Sequence, residues 1–278
     1  MRIDAHQHFW KFDRARDTWI TDEMSVLRRE FLPRDLRPEL AANDFAGSIA
    51  VQASQSESET HFLLDLAKHD SSILGVVGWV NLMSADIADR LSYFRQFKTL
   101  CGFRHIVQAE SDDRFMLRDD FLRGVDSLAQ FDFTYDILIY PRQLPAAIEL
   151  VASFPNQKFV LDHMAKPEIS TGKLDPWAAA IRELATSPNV HCKLSGMVTE
   201  ANWKCWKLSD FTPYLDVVFE SFGPDRLIFA SDWPVCLVAG SYSEVVHLVW
   251  SYLEPLPSDK KAAIFGGNAA RFYGLETL

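Results

Sequence analysis

Eight short apolar runs, separated by segments of helical periodicity, predict an α/β protein: a single (β/α)8 TIM barrel filling residues 1–278, with long βα loops forming lids. Two further observations point the same way. Each run turns polar near its C-terminal end, and no Gly-rich GxGxxG follows any of them, which argues against an open dinucleotide-binding sheet. In a closed barrel the active site lies at the C-terminal strand ends, so these polar residues should converge on one cavity.

The runs in chain order are RIDAHQHF (2–9), GSIAVQAS (47–54), ILGVVGWVNL (73–82), CGFRHIVQ (101–108), FTYDILIYP (133–141), KFVLDHMAKP (158–167), VHCKLSGMV (190–198) and RLIFASDWP (226–234). Val, Ile, Phe and Leu dominate them, the side chains that suit a buried pleated surface. Between them lie amphipathic segments such as ETHFLLDLAKH, ADIADRLSYFRQF, RDDFLRGVDSLAQF, QLPAAIELVASF, DPWAAAIRELA and DFTPYLDVVFESF. Ser84, and Asp175 with Pro176, mark helix starts. Strand and helix in alternation imply parallel strands joined by crossover helices.

The first run holds two histidines one residue apart. Residues two apart in a strand share a face, so His6 and His8 project together. Such a pair suits metal ligation or acid/base work. With Asp232 the two imidazoles make three ligands and leave a fourth position for water, as catalytic zinc sites do. The other polar strand ends carry Gln52, Asn81, Arg104 and His105, Asp136 and Tyr140, His163, Lys193 and Ser195. Alternation places Arg104 and His105 on opposite faces of their strand. The long segments 10–46 and 199–212 bear their own aromatics. Six of the eight tryptophans (Trp10, Trp19, Trp79, Trp203, Trp206 and Trp233) fall at or beyond strand ends, where an indole either caps the barrel or stacks on a sugar ring. His61, His69, His191 and His247 read as surface or packing residues.

Composition narrows the partners. The chain is 48% hydrophobic and 24% charged, with a formal net charge of −10. That charge, with no basic run, excludes a nucleic acid or an anionic membrane as partner. No window approaches the roughly 18 apolar residues of a membrane span, and the apolar start is too short and too polar for a signal peptide. Cys101, Cys192, Cys205 and Cys236 form no CxxC pair. The expectation is a reduced, cytoplasmic, soluble protein, with homo-oligomerisation left open.

Taken in order, DAHQHFW, GFRH, LDHMAKP, KLSG, SDWP and GNAARFYGL resemble the amidohydrolase superfamily along the whole chain, in particular its sugar-lactonase group, whose substrates include L-fuconolactone and L-rhamnonolactone. The resemblance implies a hydrolase that opens the lactone ring of a sugar acid, a small-molecule substrate, and no organic cofactor. It makes Asp232 the general base for the attacking water and His163 the strand-six histidine and a proton donor. His105, with Arg104 or Lys193, stabilises the oxyanion, while Trp10, Trp79, Gln52 and Tyr140 join Arg104 and Lys193 around the substrate. Two-metal members of the superfamily use a strand-five histidine, which YDILIY lacks. At most one divalent ion such as zinc is therefore expected at His6, His8 and Asp232, and the reaction is expected to manage without it. The alternative reading is a zinc-dependent decarboxylase of the same superfamily acting on an aromatic or unsaturated carboxylic acid.

Overall fold

A computed structural model describes residues 1–275 of the chain. Its strands are β1 (Arg2–Gln7), β2 (Phe45–Val51), β3 (Ile73–Gly78), β4 (Leu100–His105), β5 (Thr134–Ile137), β6 (Phe159–Leu161), β7 (Val190–Leu194) and β8 (Leu227–Phe229). They pair in chain order and in parallel. A helix follows each strand: α1 (Pro33–Ala42), α2 (Glu57–His69), α3 (Ile87–Phe94), α4 (Asp119–Gln130), α5 (Leu144–Ser153), α6 (Trp177–Leu184), α7 (Leu208–Phe222) and α8 (Tyr242–Tyr252). The result is the expected nearly closed (β/α)8 barrel. Local chemistry sets the helix starts. Ser56 accepts from the Glu59 amide at α2, Ser241 and Glu244 cap α8 reciprocally, and Pro33 opens α1. Among the described residues, no helix is long and apolar enough to cross a membrane.

All eight strands lie where the apolar runs place them, but they stop short at their C-terminal ends. β6 ends at Leu161 and β8 at Phe229, with the polar residues of each run already in the loop beyond. Two apolar shells hold the barrel. Ile3, Ala5, Ile49, Val51, Val77, Cys101, Val160, Ile228 and Ala230 form one cluster with Phe272 and Tyr273 of the C-terminal helix α9 (Asn268–Tyr273). A larger shell packs the strands against α1–α8.

β1 carries an irregularity that matters for function. Asp4 pairs with Ser48 and Gln7 with Ala50, so three residues advance β1 where two advance β2. The extra residue shifts the phase of alternation. Ile3 and Ala5 join the inner core, whereas His6 and His8 meet at the strand end and Gln7 turns away to donate to Ser48 Oγ.

The seam between β8 and β1 is closed by residues beyond the end of β8. His8 N donates to Trp233 O at 2.7 Å and Asp232 N to His6 O at 2.9 Å. Below them the buried Asp4 carboxylate accepts from Ser231 N (2.9 Å), Ser231 Oγ (2.6 Å) and Tyr242 Oη (3.1 Å). Burial pushes Asp4 up to about 6 even against these donors. Asp4→Ala strips these three donors, and His6 N at 3.3 Å, of their acceptor, and each orphan costs about 1–3 kcal/mol. Urea unfolding is expected to show a loss of about 4 kcal/mol or more, with Asp4→Asn losing less because its amide oxygen still accepts; a loss below about 1 kcal/mol would show the seam does not depend on Asp4.

Candidate active site

Three imidazoles and one carboxylate meet at the C-terminal strand ends. His8 Nδ1 lies 2.7 Å from the Val51 carbonyl, which can only accept, so Nδ1 carries the proton and Nε2 presents its lone pair. That Nε2 sits 3.2 Å from His6 Nε2 and 3.5 Å from Asp232 Oδ1. His6 Nε2 lies 3.9 Å from the same oxygen, and His163 Nε2 lies 3.8 Å from it. His163 is held from behind by Ser195 Oγ at 2.8 Å from Nδ1. The structure thus brings together His6, His8, His163 and Asp232, all buried.

Unusual backbone places two of the four. His163, Met164, Ala165 and Lys166 take φ of 53°, 53°, 57° and 51°, and Asp232 takes 58°. Left-handed backbone costs a non-glycine residue on the order of 1–2 kcal/mol, and such strain gathers at functional sites. The turn after β6 lets Asp162 and His163, which strict alternation would send to opposite faces, both reach the cluster. Gly196 follows β7 with φ of 64°, and a Cβ there would lie 2.7 Å from His163 Cγ. The glycine in KLSG is therefore what leaves room for the His163 ring.

Burial sets the charge state. It lowers His6 far below the ordinary imidazole value, with the nearby Lys193 cation adding to the effect, and it lowers His8. His163 is pushed down to about 4 by burial. Burial works against the Asp232 charge, yet the surrounding imidazoles, His163 first, hold its carboxyl well below the usual range. At neutral pH the cluster is one carboxylate among three neutral rings.

Beneath it runs a network of buried ions. Lys193 Nζ lies 2.5 Å from Asp136 Oδ2, 2.9 Å from Asp162 Oδ1 and 3.1 Å from His6 Nδ1. Arg104 Nη1 lies 3.0 Å from Asp162 Oδ2 and 3.1 Å from His6 Nε2, while Nη2 donates to the Gln52 carbonyl. Tyr273 reaches from α9 to donate to Asp136 Oδ2 at 2.9 Å. Burial alone would raise both acids. It takes Asp136 to about 6, but Lys193, His6 and Arg104 hold Asp162 well below its ordinary value.

Several expected site residues have other settings. His105 is not brought to the cluster: its ring stacks on Phe115 at 5.0 Å, Nε2 meets Glu110 at 2.8 Å, and Arg104 takes the inward side of β4 instead. Lys193 is fully buried among acids rather than lining a substrate cavity. Gln52 braces Arg104, donating to its carbonyl at 3.1 Å. Trp79 Nε1 points at His105 Nδ1, 3.5 Å away. Trp10 stands 6.3 Å from the His8 ring but is buried, its N–H given to Arg29 O. Tyr140 is 38% exposed, with Lys166 over its ring at 5.5 Å. Sequence reasoning placed Asp136 among the polar strand ends without a role, and singled out neither Asp162 nor Tyr273. An acid directly before His163 was the available signal for Asp162, and Tyr273 carried none.

The donor set fits one divalent ion. Zinc–nitrogen bonds of about 2.0–2.1 Å at tetrahedral angles put two nitrogens about 3.3 Å apart, and the two Nε2 atoms are 3.2 Å apart. His6, His8 and Asp232 could hold it. A second grouping, His6 with Asp162 and His163, shares His6 and uses an acid already bonded to Arg104 and Lys193.

Residues 3–275 match the family model described as Amidohydrolase. The chain belongs to the amidohydrolase family. This amidohydrolase is 44% identical, over 99% of its length and 96% of the relative's, to an L-fucono-1,5-lactonase of Burkholderia multivorans. It is 36% identical, over 99% and 96%, to an L-fucono-1,5-lactonase of Burkholderia ambifaria. A solved amidohydrolase structure from Burkholderia multivorans with bound zinc superposes with a TM-score of 0.96 at 44% identity, covering 99% of this chain and 100% of that one.

The burial of Lys193 can be tested directly. Lys193→Met strands Asp136 and Asp162 without their shared cation, so urea unfolding is expected to show a loss of about 3–5 kcal/mol. Unchanged unfolding with a raised KM would place Lys193 against the substrate instead.

Proposed function

We propose that this amidohydrolase is a lactonase that opens the ring of a sugar lactone of the L-fucono-1,5-lactone type. The observation that carries the reading is full-length kinship with relatives named as L-fucono-1,5-lactonases, at 44% and 36% identity, in a chain whose strand ends assemble a carboxylate among neutral imidazoles. The decarboxylases among the structural neighbours are 12–14% identical to this chain, a likeness that carries the fold alone.

Asp232 is the general base. Its carboxylate takes a proton as water attacks the ring carbonyl carbon. The carbon–oxygen bond of the ring then breaks, and the departing ring oxygen takes a proton in its turn. Protonated Asp232 can return the one it received: a carboxyl held at low pKa is a weak base but a ready acid. His163 supports the exchange from 3.8 Å, since a Ser195 hydroxyl donating to Nδ1 leaves Nε2–H facing the cluster. A positioned proton-transfer group contributes about 10²–10⁴-fold, which suits an ester already activated by its ring. His105, on the far side of β4, has no part in this scheme.

His6, His8 and Asp232 would hold a divalent ion, which would supply Lewis-acid chemistry at this site. The protein's own cation already reaches the same ligand: Arg104 donates to His6 Nε2 at 3.1 Å. That contact supports a reaction that persists without the ion. The segments 10–46 and 199–212 are proposed as the walls that select the sugar.

Asp232→Asn keeps the shape and removes the base. Hydrolysis of L-fucono-1,5-lactone, followed by acid release with a pH indicator, is expected to fall about 10²-fold or more in kcat, with unfolding little changed. A variant keeping more than about a tenth of kcat would remove Asp232 from the base role. Exhaustive chelation is expected to leave substantial activity; loss that returns in proportion to added zinc would make the ion obligatory.

A further inference from the structure

The buried ions beneath the cluster are committed to one another, so they cannot read a substrate. Asp136, Asp162, Lys193 and Arg104 have side chains 0–3% exposed and bonded among themselves. Lys166 and Glu200 differ. Their side chains are 17% and 23% exposed, and the ammonium and carboxylate stand 3.8 Å apart, beyond the 2.7–3.2 Å of a well-made N–H···O bond.

Both charges lie close to the cluster, Lys166 near enough to act on His163 and Glu200 near enough to feel Asp232. Lys166 ends the left-handed turn that begins at His163, its amide donating to the His163 carbonyl at 2.8 Å. Glu200 ends the one-turn helix Met197–Glu200, which starts at Gly196, the residue against the His163 ring. The Tyr140 ring lies beside the Lys166 ammonium, and Trp203 is anchored through Nε1 to the carbonyl of Thr199, the residue before Glu200. Donor, acceptor and aromatic faces therefore border the catalytic cluster with bonding capacity to spare.

We propose that Lys166 and Glu200 are the substrate-reading pair of this site: Glu200 accepts hydrogen bonds from sugar hydroxyls, and Lys166 donates to the acyl oxygens. The assignment rests on the lactonase reading. A polyhydroxylated lactone offers what the pair lacks, several hydroxyl donors and a carbonyl acceptor. After ring opening the same acyl group becomes a carboxylate, and the Lys166 contact becomes an ion pair. Lys166 should thus hold the open acid more strongly than the neutral lactone, and Glu200 should favour hydroxylated over bare rings.

The test measures binding and turnover together. Calorimetric binding of L-fuconate is compared in wild type, Lys166→Met, Lys166→Arg and Glu200→Gln, and kcat/KM is compared on L-fucono-1,5-lactone and unsubstituted δ-valerolactone. Losing one charge-assisted contact should weaken L-fuconate binding about tenfold to a hundredfold in Lys166→Met, with Lys166→Arg recovering most of it. Glu200→Gln should cut the preference for L-fucono-1,5-lactone over δ-valerolactone about tenfold or more. Thermal midpoints should stay near wild type, since an ion pair 3.8 Å apart makes no close hydrogen bond and adds little to stability. Unchanged L-fuconate affinity in Lys166→Met, or an unchanged lactone preference in Glu200→Gln, would overturn the assignment. A wild type that binds L-fuconate but opens no lactone would count against the lactonase reading alone, because the binding arm still judges the pair.

Discussion

Lys193 is the constraint on which the site depends. Its ammonium sits in the barrel between Asp136 of β5 and Asp162 after β6, and beside His6 of β1. Removing it would leave two buried carboxylates facing each other with Arg104 alone to offset them. With it in place the charges cancel, two acids against two bases, and the interior beneath the cluster is electrically balanced. Asp232 is then the one uncompensated charge among the rings above. Such networks are costly to desolvate and are justified by the geometry they fix rather than by the stability they add. Here they fix His6, gripped on both nitrogens.

The same network explains how one donor set can serve with or without an ion. His8 is oriented by the Val51 carbonyl and His163 by Ser195, neither of which needs a metal. Arg104 fills the His6 Nε2 lone pair from inside the barrel. An ion entering from the open side would have to displace that contact and face the guanidinium. Asp232, by contrast, gains from an added cation because burial penalises its charge. These opposing effects act on different ligands of one site, which is why the spacing suits zinc while His6, His8 and His163 are still oriented without it.

Much of this was legible in the sequence. Periodicity located all eight strands, because each buried run is apolar and bounded by turn residues. The His-x-His spacing gave the shared face of His6 and His8, although it did not show the extra residue in β1 that turns this face inward after Ile3 and Ala5. What sequence could not supply was partnership across strands. A lysine near a strand end looks available until two acids from β5 and the β6 turn are seen to enclose it. Alternation said that Arg104 and His105 must part company, but only the Phe115 and Glu110 environment on one side, and Asp162 on the other, decide which faces in. Asp162 stayed hidden because four left-handed residues in succession have no pattern in a one-dimensional reading.

The central claim is that burial and the balanced network keep His6, His8 and His163 neutral around an ionised Asp232. Nitrogen-15 NMR of labelled imidazoles in the metal-free protein tests it most directly. The account expects all three rings to remain mainly neutral at about pH 6.5, where an ordinary imidazole is half charged. Each held tautomer should be visible, with His8 protonated at Nδ1. Three rings that charge together with a midpoint near 6.5 would contradict it.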